Sequence, residues 1–359
     1  MSGKTTRLAL IGCGFIGGVH SMVLRGLIAA GVVDAAVVAT CDADPERAAL
    51  FAAAHAGARA TADPDEAMDG ADAVWIATPT SSHADLVRRA AARGTAVYCE
   101  KPLAPTLAQA DALASLATER AIAVQVGLVL RHSPVLAAFD HAIHSGDLGR
   151  PMAAVLRDDQ YFPVGGMYGS TWRAEHAVAG GGTLIEHSIH DVDLLAWLLG
   201  PIVDVAARSR NFSRHPGIED VLVATLGHDG GATSALASIW HGVVSRPSTR
   251  RIEVLCEKGV LWTEDEHVGP LWLQTDDGTI ALPCAPGRAH AEILERAFDA
   301  LEMPQEWRGS LTSYVLSDLS FLDALRRGKP PFPDLATALE AHRVVAAAYG
   351  DAARRDTRA

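Results

Sequence analysis

Three groups of residues in this chain have types and spacings that could do chemistry. The first is Gly12-Cys13-Gly14-Phe15-Ile16-Gly17, a G-x-G-x-x-G run between an apolar stretch, Leu8 to Ile11, and a helical pattern. In that setting Gly12 permits a tight turn, Gly14 lets the backbone approach a pyrophosphate, and Gly17 allows close helix–strand packing. The N–H groups at the helix start, from Phe15 and Ile16 onward, then face the phosphate charge. The second group is Lys101 in Glu100-Lys101-Pro102, an ammonium just beyond the apolar run Ala96 to Cys99. The third is Glu186 and His190, four residues apart and so on one face of a helix, which Asp193 continues. An imidazole titrates near neutral pH and can serve as base or relay. Together these could hold a dinucleotide, present a cation at a strand end and accept a proton.

The elements that must hold these residues follow from the hydrophobic pattern. Between Arg7 and about Val129, short apolar runs alternate with helical patterns, which predicts an α/β domain on a parallel sheet. The second strand, Ala36 to Cys41, ends at Asp42, placed to accept hydrogen bonds from the adenosine ribose hydroxyls. Ala43 follows, with no Arg or Lys beside it to receive a 2′-phosphate, so NAD is favoured over NADP. Asp44 and Pro45 read as N-cap and first residue of the next helix. A third strand, Ala73 to Ile76, runs into Ala77-Thr78-Pro79-Thr80-Ser81-Ser82-His83. Ligands of open α/β sheets lie at such carboxyl edges, so Thr78, Pro79 and His83 join Glu100 and Lys101 as cofactor-side candidates. A helix over 84–93, the strand before Glu100, a helix over 106–119 and a strand over 121–129 complete this part.

Beyond Gly127 the pattern changes. A helix over 134–144 precedes alternating runs at 152–160, 203–211, 220–226, 233–240 and 251–256, which predict one mostly antiparallel sheet with an open face. Helices are expected at 184–199, 289–301, 311–327 and 335–355. The expected division is a first domain over 1–130 and a second over 131–359, with the C-terminal helix able to pack back on the first.

Composition bounds the function. A length of 359 residues is long for one core, and 49% hydrophobic with 21% charged residues is ordinary for a globular protein. A formal charge of −12 argues against a surface that tracks nucleic-acid phosphates. The five cysteines, Cys13, Cys41, Cys99, Cys256 and Cys284, are odd in number and form no C-x-x-C pair. Scattered thiols fit a reducing cytoplasm better than a disulfide framework. No stretch is long and apolar enough to span a bilayer, and glycines break the N-terminal apolar run, so no membrane or secretory role is expected. His187, His190, Asp191 and Asp193 do not follow a metal-binding order, and no distant Cys or His cluster completes a shell, so no metal is expected.

Four elements in this order resemble the glucose–fructose oxidoreductase / inositol dehydrogenase (Gfo/Idh/MocA) family: GCGFIGG, ATPTSSH, the E-K-P triplet, and Gly180-Gly181-Gly182 followed by an E-x-x-x-H helix. The resemblance covers nearly the whole chain. It implies a Rossmann domain, a second domain with an open sheet, and a homodimer or homotetramer formed through that sheet's exposed face. It also implies chemistry on a sugar, cyclitol or related polyol. In the family the E-K-P lysine contacts the reacting oxygen, which assigns that role to Lys101. An Asp four positions before the His helps bind and deprotonate the hydroxyl; Glu186 takes its place here. A W-R pair approaching nicotinamide or substrate corresponds to Trp172-Arg173. In the same Gly-rich loop and nearby, Tyr168 and His187 suit sugar hydroxyls, while Tyr161 either joins them or packs within its strand. The family often has Asn-Arg soon after the residue matching Gly127. This chain has Val129-Leu130-Arg131-His132, which leaves Arg131 to supply the cation and lacks the Asn.

Two other functions use the same parts. One is glycoside cleavage by oxidation, elimination and re-reduction, with Tyr161, Tyr168 or His187 as acid or base and no net NADH. The other is a non-catalytic NAD-binding sensor, against which the retention of Lys101 and His190 weighs.

Overall fold

The computed structural model describes residues 4–356. The chain forms two compact units, one made of residues up to Ala104, Ala108–Val129 and Pro286–Leu339, the other of Pro105–Leu107, Leu130–Ala285 and the residues from Glu340 on.

In the first unit, strands β1 (Thr6–Ile11), β2 (Ala35–Cys41), β3 (Arg59–Thr61), β4 (Ala73–Ile76), β5 (Ala96–Cys99) and β6 (Val124–Val126) alternate with helices α1 (Phe15–Ala29), α2 (Pro45–Ala53), α3 (Pro64–Met68), α4 (His83–Arg93) and α5 (Leu107–Arg120). All strand pairs are parallel, in the order β3-β2-β1-β4-β5-β6. The chain winds one way from β1 to β3 and the other way from β4 to β6. The carboxyl ends of β1 and β4 therefore flank the switch point where ligands of such sheets lie. Strand β4 is buried along its whole length, as expected for a parallel strand covered on both faces.

The second unit begins with α6 (Pro134–His144) and the long strand β7 (Pro151–Tyr161), followed by the short α7 (His176–Ala179) and by α8 (Ile189–Leu199). Strands β8 (Ile202–Arg210), β9 (Val221–His228), β10 (Thr233–His241), β11 (Thr249–Cys256), β12 (Gly259–Thr263), β13 (Leu271–Thr275) and β14 (Gly278–Leu282) complete an eight-stranded sheet ordered β14-β13-β12-β11-β7-β10-β9-β8. Within this sheet, among the described residues, only β7 and β10 pair in parallel. Strands β12 to β14 are absent from the pattern-based reading, because five-residue strands give too few alternations to stand out. Side chains alternate between two environments. One face packs Leu156, Leu222, Leu236, Ile252 and Leu261 against α6 and α8. The other leaves Met152, Val155, Val203 and Val223 half exposed or more, and stacks Trp262 on Trp272 at 6.2 Å.

The chain then returns to the first unit as α9 (Arg288–Asp299) and α10 (Gln305–Arg327), and ends in α11 (Leu335–Asp356). The stretch that returns is thus Pro286–Leu339, whereas Ala341, Val345, Ala348 and Ala352 of α11 join the core of the second unit. The reason is packing. Trp75 of β4 stacks on Tyr98 of β5 at 5.6 Å, and Phe321 of α10 meets both edge-on, at 5.1 and 5.8 Å. These three large rings need one another for burial, and no local pattern announces which sheet a distant helix will cover. None of the described helices is long and apolar enough to cross a membrane.

Candidate active site

In the first unit the loop after β1 is built by close approach of backbone to backbone. Gly12 has φ +99°, and a Cβ there would lie 2.5 Å from the Ala77 carbonyl, at the end of β4. The loops at the switch point therefore touch. A Cβ on Gly17 would lie 1.9 Å from the Gly12 carbonyl oxygen, so this glycine lets α1 seat on the loop. Gly14 differs: it is the N-cap of α1 with φ −85°, and an added Cβ meets no described atom within 4 Å. The protein itself does not need a glycine there. No described side chain caps α1, and its first turn carries no acidic residue. An open backbone above helix N–H groups suits an incoming diphosphate, so the residues present fit a dinucleotide.

Asp42 lies where the sequence places it, but its carboxylate already braces the loop. Oδ2 accepts the Cys13 N–H at 2.7 Å and Oδ1 the Asp44 N–H at 2.9 Å. A carboxylate has further lone pairs to offer a ribose. Asp44 caps α2 through Glu46 N–H at 3.0 Å, with Pro45 following. Cys13 is inert filler: burial first, then the neighbouring Asp42, push its thiol up to about 12. All five cysteines are unpaired.

At the edge beyond β4 and β5, the candidate residues hold one another. His83 is buried, with one ring nitrogen 2.8 Å from the Pro102 carbonyl oxygen and the other 2.9 Å from that of Thr78. It clamps the two edge loops together through their backbone carbonyls. Ser82 Oγ donates to the Pro79 carbonyl at 2.8 Å and tightens the same turn. Glu100 is turned inward: it is 5% exposed, its Oε2 accepts the Lys101 N–H at 3.2 Å, and its Oε1 lies 3.0 Å from His20 Nε2. Lys101 is partly exposed between these two clamped neighbours.

In the second unit the triple glycine has a separate cause at each position. Cβ atoms would lie 2.3 Å from the Pro105 carbonyl oxygen at Gly180, 2.4 Å from the Tyr349 hydroxyl at Gly181, and 1.8 Å from the Glu219 carbonyl oxygen at Gly182. The Glu219 carboxylate accepts the N–H groups of Gly182 at 2.7 Å and Leu184 at 3.0 Å, and the Tyr349 hydroxyl at 2.9 Å. It thereby satisfies the start of the helix that carries Glu186 and His190. Leu184–Ser188 is a π-type turn before α8, a feature frequent at functional sites. Glu186 lies in this wider turn and His190 at the beginning of α8, so their four-residue spacing spans the junction.

The Glu186 carboxylate is buried and accepts from Arg173 Nε at 3.1 Å, while the Arg173 guanidinium stacks 4.5 Å from the Trp172 ring. Trp172, Arg173 and Glu186 are thus one assembly. His187 Nε2 lies 2.9 Å from Asp158 Oδ2, and Asp158 accepts Arg250 Nη2 at 2.9 Å. Arg250 also holds Asp191 and Glu266, all three buried. Burial first, then the neighbouring Asp158, drive Asp191 up to about 8 despite the opposing pull of Arg250. His190 is 8% exposed. Arg131 spends its fork on Asp193, with two contacts of 2.8 Å, and lies 5.0 Å above Trp197. The Tyr161 hydroxyl accepts the Met167 N–H at 3.0 Å, and its ring meets Tyr168 at 5.5 Å. Gly166, at φ +60°, makes that fold-back possible, since a Cβ there would lie 2.5 Å from the Tyr161 oxygen.

Sequence reasoning missed the residues behind the candidates: His20 and Asp318 in the first unit, Asp158, Arg250, Glu219 and Tyr349 in the second. Only His20 carried a signal, three positions after Gly17 and so one turn further along α1.

Residues 6–128 match an oxidoreductase family described as having an NAD-binding Rossmann fold, and residues 136–262 match the GFO/IDH/MocA C-terminal domain. Inositol 2-dehydrogenase 2 of Paenarthrobacter aurescens (strain TC1) is 32% identical over 342 residues, 90% of this chain and 89% of that protein. A scyllo-inositol 2-dehydrogenase (NAD(+)) of Bacillus subtilis (strain 168) is 28% identical over 335 residues, 90% of this chain and 87% of that one. The crystal structure of an oxidoreductase from Agrobacterium radiobacter with NAD+, L-tartaric acid and magnesium matches with a TM-score of 0.79 at 25% identity, covering 98% of this chain and 97% of that chain.

Proposed function

Because this chain belongs to the GFO/IDH/MocA family of NAD-binding oxidoreductases, we propose that it transfers a hydride between NAD and a secondary hydroxyl of a sugar, cyclitol or sugar derivative, with Lys101 and His190 handling the proton. One observation carries the reading. Lys101 follows β5 at the carboxyl edge of the parallel sheet, and the backbone on each side of it is pinned, by Glu100 before it and by His83 on Pro102 after it. A lysine whose backbone is held this firmly at the carboxyl edge of such a sheet suits a fixed reacting atom.

Gly12, Gly14 and Gly17 with the start of α1 hold the pyrophosphate, and Asp42 takes the ribose hydroxyls. NAD bound there supplies the hydride acceptor. The Lys101 ammonium donates a hydrogen bond to the reacting oxygen and stabilises the negative charge that develops on it. His190 accepts the hydroxyl proton. Glu186, held by Arg173, and His187, backed by Asp158, orient neighbouring hydroxyls. The relatives' names, inositol 2-dehydrogenase among them, support a cyclitol or sugar as the substrate class.

The test mixes the purified chain with NAD or NADP and a panel of cyclitols and sugars. We expect NADH to accumulate with product in a one-to-one ratio, faster with NAD than with NADP. Aglycone release without net NADH would instead identify redox-neutral glycoside cleavage, and NAD binding without any turnover would sink both enzymatic readings. The same reading assigns the half-exposed sheet face around Met152, Val155, Val203 and Val223 to homo-oligomer formation. Sedimentation equilibrium should then give a multiple of the 37.8 kDa chain mass rather than the monomer.

A further inference from the structure

We propose that His20 and Asp318 form a charged brace that fixes the Glu100 carboxylate and, through it, the backbone of Lys101, which makes them positioning residues for the dehydrogenase chemistry. The proposal rests on the role given to Lys101 above. His20 lies on α1 one turn beyond the glycine loop, Glu100 follows β5, and Asp318 lies on α10, which the chain supplies only after the sheet of the second unit is complete. Their relative exposures are 0%, 5% and 0%.

The contacts leave the imidazole little choice. Nδ1 lies 2.9 and 3.0 Å from the two Asp318 oxygens, and Nε2 lies 3.0 Å from Glu100 Oε1. Both partners are already loaded as acceptors. Asp318 Oδ1 accepts Trp75 Nε1–H at 3.2 Å, and Glu100 Oε2 accepts the Lys101 N–H at 3.2 Å. With carboxylates on both sides, both ring nitrogens donate and the ring is an imidazolium. Burial lowers the affinity of His20 for its second proton, but the charge and hydrogen bond of Asp318, joined by those of Glu100, outweigh it and raise the ring to about 10. Tyr98 and Tyr314, edge-on at 5.0 and 6.0 Å, are the other titratable groups facing it. Burial holds Tyr98 far above its ordinary value, so it stays neutral.

The carboxylate has a built seat. A Cβ on Gly127 would lie 2.5 Å from Glu100 Oε1 and 2.9 Å from its Cδ, so the glycine after β6 makes room for this one group. Helix α10 is anchored beside it: Ser317 lies 2.9 Å from the Tyr98 hydroxyl, and its carbonyl accepts Gln125 Nε2 at 3.0 Å. The brace therefore joins the helix of the phosphate loop, the lysine-bearing edge and a late helix in one buried contact. A neutral core of the same volume would fill this space at least as well. The charged arrangement makes mechanical sense as a means of holding Glu100, which can neither swing outward nor release the Lys101 N–H while the imidazolium grips it.

The experiment compares the full-length chain with Asp318→Asn and His20→Gln. The first readout is the rate at which an amine-acylating reagent labels each lysine, followed by peptide mass spectrometry. The chain has only four lysines, Lys4, Lys101, Lys258 and Lys329, and the other three are exposed references. We expect Asp318→Asn to label severalfold faster at Lys101 alone. We also expect kcat to fall by about tenfold or more, with KM and NAD affinity within about threefold of the parent. A second readout is pH. The raised ring stabilises the fold fully below the ordinary histidine range, and that contribution fades as pH rises through about 10. The parent should thus lose melting temperature toward pH 10 more steeply than His20→Gln. Loss of the cooperative melting transition would mean that Asp318→Asn has unfolded, and His20→Gln then decides by the same measurements. Unchanged Lys101 labelling and unchanged kcat in a folded variant overturn the brace. Labelling needs no substrate, so a silent polyol panel would sink the dehydrogenase reading and leave this test intact.

Discussion

Lys101→Met is expected to lower kcat by about three orders of magnitude or more while leaving NAD affinity within about threefold of the parent. Methionine nearly matches the length of the lysine stem and removes only the charged donor. The local backbone should survive, because what holds it lies in neighbouring groups. Glu100 takes the N–H of residue 101, and His83 holds the Pro102 carbonyl. The loop after β1 and Asp42, to which the proposed function gives the dinucleotide, do not depend on the Lys101 side chain. Steady-state kinetics with the best substrate of the panel, paired with a calorimetric NAD titration, separates the two effects. A fully active variant would remove Lys101 from the mechanism. Equal losses of NAD affinity and kcat would make it a cofactor ligand instead.

Gly14→Ala and Gly17→Ala should fail in different ways. At Gly17 the new methyl group collides with the Gly12 carbonyl oxygen, 1.9 Å from the ideal Cβ. Backbone must move, at a cost of about 3 kcal/mol. We expect a clearly lower melting temperature together with loss of NAD binding. At Gly14 the methyl group meets no described atom within 4 Å, and φ −85° is comfortable for alanine. The fold should lose only about 1 kcal/mol, from poorer N-capping. Yet the methyl group stands where a pyrophosphate must approach, so NAD affinity should drop by roughly a hundredfold, equivalent to about 3 kcal/mol. Melting curves recorded with and without NAD check both variants. If Gly14→Ala binds NAD as the parent does, the phosphates do not sit over α1.

Residue type and spacing were enough to mark the glycine loop after β1, because Gly12 and Gly17 answer to contacts made within the first strand–turn–helix unit or just across the switch point. Asp44-Pro45 as a helix start was equally legible, since capping is a local affair. The parallel first sheet and the alternating strands of the second followed from periodicity, down to the short strands β12 to β14, where too few residues alternate. Glu100 shows where that reach ends. Sequence put it among the cofactor contacts by its place after a strand, whereas its carboxylate is turned inward to His20. Arg131 is similar: the cation is present, and its fork is taken up by Asp193.

From sequence alone came the family, the two kinds of sheet, NAD as the cofactor, and Lys101 and His190 as the residues to watch. All of these are written in residues near one another along the chain, or in patterns that repeat with the period of a helix or strand. Tertiary structure alone decided what stands behind them: Asp318 behind Glu100, Asp158 behind His187, Glu219 and Tyr349 at the helix start, and α9 and α10 returning to the first unit. Those partners lie tens to hundreds of residues away. A buried carboxylate finds its counter-charge through the packing of whole helices and sheets, and no local spacing records which one will arrive.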